Sequence, residues 1–308
     1  MIKFQRDEFI KVIYKSAKKN RDIYFLSADF GAPALDIFRK NLKKQFIHLG
    51  ICEQNMVDFG CGLALENKKV YLYAMAPFLS LRCLEQHKTA TCLINANVCS
   101  VVTGIGLSYA NSGPTHYSTE DFACLRSLPN CIIYTASDPE TAKKIALQTV
   151  KEKKPTFVRL DRKSSYNLTK KTNQKDIKKG FRFLKKEKNN KILIIGQGTI
   201  LERALFAVKN VNNKINSKVS IIDLIRAKPF PKILKNLLKK YQKLIVMDEQ
   251  TEPGGLASLV SENIEYNKKI TNLCLPDKFI FENIGREKLL DINGLSVKNI
   301  IKQITKKN

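Results

Sequence analysis

The residues best suited to chemistry gather in three short segments of the first half of the chain. The first is His48-Leu-Gly-Ile-Cys-Glu53-Gln-Asn-Met56. Glu53 stands between Ile51 and Cys52 on one side and the apolar stretch 57–65 on the other. Charged side chains are seldom buried without a partner or a task. A glutamate at a helix start is favoured by the helix dipole, so capping is one reading. The other is a carboxyl group set in apolar surroundings to make a short hydrogen bond to a ligand. The second segment is the glycine-rich stretch 104–121, which follows an apolar run and holds His116 between Thr115 and Tyr117. A lone histidine is often structural, but a glycine-flanked loop at a strand end is a place for function. The third is Ala76-Pro-Phe78-Leu-Ser-Leu-Arg82. Taken alone, Phe78 reads as core and Arg82 as a surface or ion-pair residue.

Elements that could position these segments follow from the pattern around them. Apolar runs at 23–27, 70–74, 98–103, 131–135 and 156–160 predict strands. Helical periodicity at 6–18, 54–66, 79–92, 118–128 and 139–151 alternates with them. Strand and helix in alternation at this spacing predict a parallel sheet covered on both faces. Pro139 after Ser137 and Asp138 marks a helix start, and Ser118 with Asp121 three residues on resembles a capping box. In such a sheet, ligands bind beyond the carboxyl ends of the strands, where the second and third segments fall.

From residue 163 the periodicity is lost and lysines accumulate. A second, smaller α/β block then opens with strand 192–195, helix 201–210 and strands 219–224 and 244–248, with a further helix after the Pro253-Gly-Gly255 turn. The expected fold is therefore two doubly wound α/β domains, 1–165 and 191–308, joined by a lysine-rich linker, 166–190. Gly196 and Gly198 form a GxG, but Leu201 stands where a dinucleotide fingerprint needs its third glycine, so an ordinary strand-to-helix turn is expected.

At 308 residues and 44% hydrophobic content, the chain can bury full cores. Its formal charge of +26 raises a nucleic-acid partner. The lysines are spread along the chain and not interleaved with aromatics as a stacking platform would be, so no nucleic-acid partner is expected. The eight cysteines form no CxxC pair and mostly sit in apolar runs, which predicts reduced core thiols and no zinc site. There is no leader-like or membrane-spanning apolar run, so a soluble cytoplasmic protein without a membrane partner is expected.

Together the segments resemble the transketolase family. "GICEQNM" is similar to its G-x-x-E-x-x-M segment. "APFLSLRCLEQ" resembles its phenylalanine-bearing strand end, and "GPTHYSTEDFACLRSLPN" its GPTH-x-x-x-ED-x-x-x-x-R-x-x-PN segment. "SADFGAP" and "PTFVRLDR" fall where flanking motifs belong, and "DEQTEPGGLAS" where the family's C-terminal domain has its own. The resemblance implies a pyrimidine-binding domain followed by a transketolase C-terminal domain, and thiamine diphosphate as cofactor. Glu53 would hydrogen-bond the pyrimidine N1′ and so activate the cofactor. Phe78 would stack on the pyrimidine, with Met75 where a second aromatic often stands, and Asp29 would lie near the cofactor. His116 would contact the reacting substrate, and Arg162 would bind a sugar phosphate. The implied reaction is transfer of a two-carbon ketol unit between sugars, with a deoxyxylulose-phosphate-synthase-like condensation or a 2-oxoacid dehydrogenase E1 β role as alternatives. A non-catalytic regulatory subunit is a further alternative, against which the retained Glu53, Phe78 and His116 argue.

The sequence departs from the family at Gly104, where a substrate-binding histidine is usual, at Ser112, where an aspartate often stands, and at Pro33, where a phosphate-contacting serine is expected. These departures put the usual pentose phosphates in doubt. The family's GDG metal motif is also absent from the sequence. The resemblance therefore implies that a partner chain supplies the diphosphate and magnesium site, with no metal held here, in an α2β2 assembly with the cofactor at the interface.

Overall fold

A computed structural model describes residues 2–28, 32–168, 172–189, 191–264 and 270–306. In chain order the strands are β1 (Lys3–Phe4), β2 (Ile23–Ala28), β3 (Phe46–Gly50), β4 (Lys69–Met75), β5 (Val98–Thr103), β6 (Ile132–Thr135) and β7 (Thr156–Leu160). They continue with β8 (Ser164–Ser165), β9 (Phe181–Lys185), β10 (Ile192–Gly196), β11 (Val219–Leu224), β12 (Arg226–Lys228), β13 (Lys243–Thr251) and β14 (Ile270–Leu275). Seven form one sheet in the order β12-β6-β7-β5-β4-β2-β3, and five form another in the order β14-β13-β10-β11-β9. Each sheet is parallel except for one antiparallel edge strand, β12 in the first and β9 in the second. The central strands β4 and β5 are buried almost throughout, as continuous apolar runs in a sheet covered on both faces should be.

Two clusters sandwich the first sheet. One packs helix Gln5–Ala17 and helix Pro139–Thr149 on one face, and the other packs helix Glu53–Leu65 on the opposite face. A third cluster joins the two sheets, because Phe122, Leu125 and Phe157 pack with Leu193, Ile222 and Leu244. Strand β12 adds a second tie, since it follows β11 of the second sheet yet pairs with β6 of the first.

Several expectations are modified. The expected helix 79–92 is three short pieces: Ala76–Leu79, Leu84–Gln86 and a π-helical turn, His87–Cys92. Helix Asp121–Ser127 begins three residues later than expected, and its N-cap Glu120 makes no side-chain cap bond. Ser118 is instead engaged with Gly106, each amide donating to the other's carbonyl at 3.0 Å. The stretch expected as a bare linker, 166–190, holds a helix, Gln174–Lys179, closed by a capping box of Asn173 and Asp176 and by Gly180. It also supplies β9, the edge strand of the second sheet. Lys175, Lys178, Lys186 and Lys188 are exposed and hide the apolar half of the pattern, Ile177 and Phe181 being buried. The helix start at Asp138 is as expected: its side chain accepts from the Thr141 amide at 2.7 Å.

Candidate functional site

The sequence-predicted residues fall at successive carboxyl ends of the first sheet. Arg162 follows β7, and His116 lies in the loop after β5. Met75 ends β4 and Phe78 follows it, and Glu53 follows β3. Asp29 follows β2 and lies outside the described residues. A parallel sheet brings these ends to one edge, so residues scattered over 110 positions become neighbours through topology alone.

Glu53 is the first residue of its helix and is 5% exposed. It does not cap the helix by a side-chain bond. Its Oε2 accepts a 2.7 Å hydrogen bond from Arg82 Nη1. The guanidinium of Arg82 in turn lies over the Phe78 ring, 4.3 Å from its centroid. Phe78 meets the His116 ring edge-to-face at 5.4 Å, and His116 lies 6.4 Å from the Tyr109 ring. The Arg162 guanidinium covers Tyr109 at 4.8 Å. Glu53, Phe78, His116 and Arg162 are thus joined in one run of contacts through Arg82 and Tyr109. The surroundings of Glu53 are not wholly apolar, as the sequence suggested, because Arg82 reaches it from 29 residues away. Met75 is half-buried and sits opposite Thr103 in the β4–β5 ladder.

The departure at Gly104 has a structural counterpart. Its φ is +91°, and a Cβ there would meet the Tyr109 ring at 2.0 Å. Only glycine fits this backbone beside that ring, and Tyr109 fills the space a side chain at 104 would take. At Gly106, with φ +59°, a Cβ would meet Glu249 at 2.7 Å, so the loop carrying His116 is pressed against the second sheet.

That contact belongs to a buried ionic cluster which the sequence did not reveal. Arg286 donates to both Asp161 oxygens, at 2.9 and 2.7 Å, and to both Glu249 oxygens, at 3.1 and 2.8 Å. Glu249 accepts from the Leu107 amide, and Asp161 from Ser108, Thr199 and the Lys163 amide. Burial pushes the Asp161 carboxyl up, but Arg286 and these donors outweigh it and hold the group below the usual carboxylate range. Arg162 follows Asp161 directly, so the cluster fixes both Arg162 and the His116 loop.

A cavity of about 760 Å³ opens beside this cluster. Its lining includes Arg6, Arg162, Lys163 and Lys288, with the hydroxyls of Ser108 and Ser164. This concentration of cations suits a phosphorylated ligand. Arg6 gave no signal in sequence, since one arginine beside an aspartate in an amphipathic helix is ordinary.

The third histidine, His87, is structural. It is fully buried against Phe157, its Nε2 lies 2.7 Å from the Leu79 carbonyl, and burial lowers its pKa to about 4. Among the described residues, no group of three or more His, Cys, Asp or Glu side chains could hold a metal ion, and no helix is long and apolar enough to cross a membrane. The described part of the site fits an aminopyrimidine, offering a buried carboxylate for a ring nitrogen and an aromatic face beside it.

Comparison with known proteins gives two family matches. The transketolase pyrimidine binding domain matches residues 6–167, and the transketolase C-terminal domain matches residues 182–300. The chain is 28% identical to 1-deoxy-D-xylulose-5-phosphate synthase of Thermotoga maritima, over 94% of this chain and 46% of that protein. It is 26% identical to a subunit of the apulose-4-phosphate transketolase of Phocaeicola vulgatus, over 92% of this chain and 90% of that one. It spans about half the length of the curated relatives it matches first. A solved structure described as a split gene transketolase, inactive β4 tetramer, superposes with a TM-score of 0.83 at 22% identity, covering 98% of this chain and 96% of that one. At that identity the likeness is one of fold.

Proposed function

The chain belongs to the transketolase family, and from that premise we propose that it is the pyrimidine-binding subunit of a thiamine-diphosphate-dependent enzyme that transfers a two-carbon ketol unit between sugar substrates. The observation that carries this reading is the continuous run of contacts from Glu53 through Phe78 and His116 to Arg162. When bound, thiamine diphosphate supplies the nucleophilic carbon and the electron sink that carbon–carbon cleavage requires.

The chain's own residues do the rest. Glu53 hydrogen-bonds the pyrimidine N1′ from a buried position where the interaction is little screened by water. Phe78 stacks against the ring and Met75 borders it. Asp29 is assigned to the cofactor on the resemblance of its segment to the family's. His116, held against Phe78, donates a hydrogen bond to the reacting substrate or relays a proton. Arg162 binds the substrate phosphate at the cationic cavity, together with Arg6. Residues 1–165 form the pyrimidine-binding unit and 191–308 the C-terminal unit, with β9 in the intervening segment belonging to the latter sheet.

The diphosphate and its magnesium are held by a separate partner chain carrying a GDG…N motif, in an α2β2 assembly in the cytoplasm. This is supported by the Phocaeicola vulgatus relative, itself one subunit of a transketolase, of which the chain spans 90%. Titration of thiamine diphosphate into this chain, into the partner and into their mixture tests the split. Tight binding is expected only in the mixture, and tight binding with turnover by this chain alone would sink it. The similarity to 1-deoxy-D-xylulose-5-phosphate synthase favours a second reading, a decarboxylative condensation with an aldehyde phosphate. Carbon dioxide release from a 2-oxoacid donor, in place of ketose cleavage, identifies it.

A further inference from the structure

Arg82 stands on both surfaces to which the proposed function assigns the pyrimidine. It donates from Nη1 to Glu53 Oε2 at 2.7 Å, and its guanidinium carbon lies 4.3 Å above the centre of Phe78. A group that bridges the carboxylate and the phenyl face lies between them. A pyrimidine that took Glu53 Oε2 and the same face of Phe78 would need that space. The guanidinium is also a chemical likeness of an aminopyrimidine: flat, delocalised, with N–H donors in its plane and a face suited to aromatic stacking.

We propose that Arg82 is a side-chain gate of the pyrimidine subsite, a ligand internal to the chain that pairs Glu53 and covers Phe78 until the cofactor ring displaces it. This inference rests on the proposed role of Glu53 and Phe78. The way Arg82 is held supports displacement. Two other arginines grip their carboxylates with both arms in buried settings. Arg159 holds Asp121 with side chains 1% and 0% exposed, and Arg286 holds Asp161 with side chains 11% and 0% exposed. Arg82 makes one hydrogen bond to Glu53, and its side chain is 42% exposed against 6% for Glu53. It reaches in from the solvent side of the turn that follows helix Ala76–Leu79, where its amide donates to the Pro77 carbonyl at 3.3 Å. Rotation about its own side-chain bonds removes it without moving the backbone. A half-exposed ion pair and a half-exposed cation–π contact are each weak, so the gate costs the incoming ring about tenfold in affinity, or about 1.4 kcal/mol. In return, Glu53 keeps a charged partner, where removal of that partner would leave a buried carboxylate alone.

The test uses the full chain and thiamine, which carries the aminopyrimidine and lacks the diphosphate that the partner is proposed to hold. Binding is read by ligand-observed NMR for the unaltered chain, Arg82→Gln, Arg82→Lys and Phe78→Ala, each checked for native circular dichroism. Arg82→Gln is expected to bind thiamine about tenfold more tightly, and Arg82→Lys, which keeps the charge and loses the planar fork, by a smaller factor. In the unaltered chain, the Arg82 guanidinium resonances are expected to shift as thiamine saturates. Thiamine binding that Phe78→Ala weakens but Arg82→Gln leaves equal or weaker overturns the gate alone, as do unmoved guanidinium resonances. If no background binds thiamine and Phe78→Ala changes nothing, both the gate and the proposed pyrimidine site fall.

Discussion

Replacing Arg286 by methionine should unfasten the second sheet from the functional edge of the first. The guanidinium makes four hydrogen bonds to two carboxylates, Asp161 and Glu249, and a fifth to Thr199. Methionine keeps much of the side chain's bulk and none of its donors, so both carboxylates lose their cation inside the protein. Removing one partner of a buried ion pair costs about 3–5 kcal/mol. Asp161 retains Ser108, Thr199 and the Lys163 amide, and Glu249 retains the Leu107 amide, which places the expected loss near the lower figure, about 3 kcal/mol. The loss should depend on pH. Burial raises the Asp161 carboxyl, and Arg286 together with the Thr199 and Lys163 donors more than reverses it, so the folded group lies below its ordinary value of 3.8. Such a group stabilises the fold above its unfolded pKa and ceases to do so as pH falls through its folded pKa. Without Arg286, only the remaining hydrogen-bond donors oppose burial, and Asp161 takes up a proton at a higher pH than in the unaltered chain. The penalty should therefore be largest at pH 7.5 and shrink towards pH 4.5. Urea unfolding of the full chain at both pH values, with Arg286→Lys as the charge-retaining control, measures it. A loss below about 1 kcal/mol at pH 7.5, or a loss of equal size at both pH values, would refute the assignment of this cluster as a buried ionic clamp.

Two further outcomes follow from the same structure. Arg162→Ala in the assembled enzyme should raise KM for a phosphorylated substrate by about 10- to 150-fold, the worth of a charge-assisted hydrogen bond, and change KM for the unphosphorylated analogue far less. Equal effects would mean that no phosphate sits there. Burial, opposed by the Leu256 amide and Arg159, raises the Asp248 carboxyl to about 7 from an ordinary 3.8. The native state therefore holds a proton that the unfolded chain releases, and stability attributable to this group falls as pH rises from about 4 to about 7. Thermal melts should show Asp248→Asn gaining stability over the unaltered chain more at pH 8 than at pH 5, and equal gains would contradict that sign.

The sequence carried the local part of the site and little of what joins it. Glu53, Phe78, His116 and Arg162 were legible because each lies within a short motif, where residue type and spacing are read from neighbours. Arg286 was not, because its partner Asp161 lies 125 residues away and only the docking of the two sheets brings them together. Tyr109 was hidden for a related reason. Its role depends on the left-handed turn at Gly104, which leaves room for its ring. Strand β3 escaped notice because it is an edge strand with a half-buried pattern and no continuous apolar run. The Ser118–Asp121 pair looked like a helix start, but the bridge between Ser118 and Gly106 uses that backbone otherwise. The antiparallel return of β12 to the first sheet is a tertiary choice that three residues of sequence could not announce.

The central claim is that Glu53 activates a cofactor shared with another chain. Its most direct test is the turnover of Glu53→Gln reconstituted with the diphosphate-binding partner, alongside sedimentation to show that the assembly is intact. The account predicts a loss of about 10²-fold or more in an assembly of unchanged size. Turnover equal to that of the unaltered enzyme would contradict it.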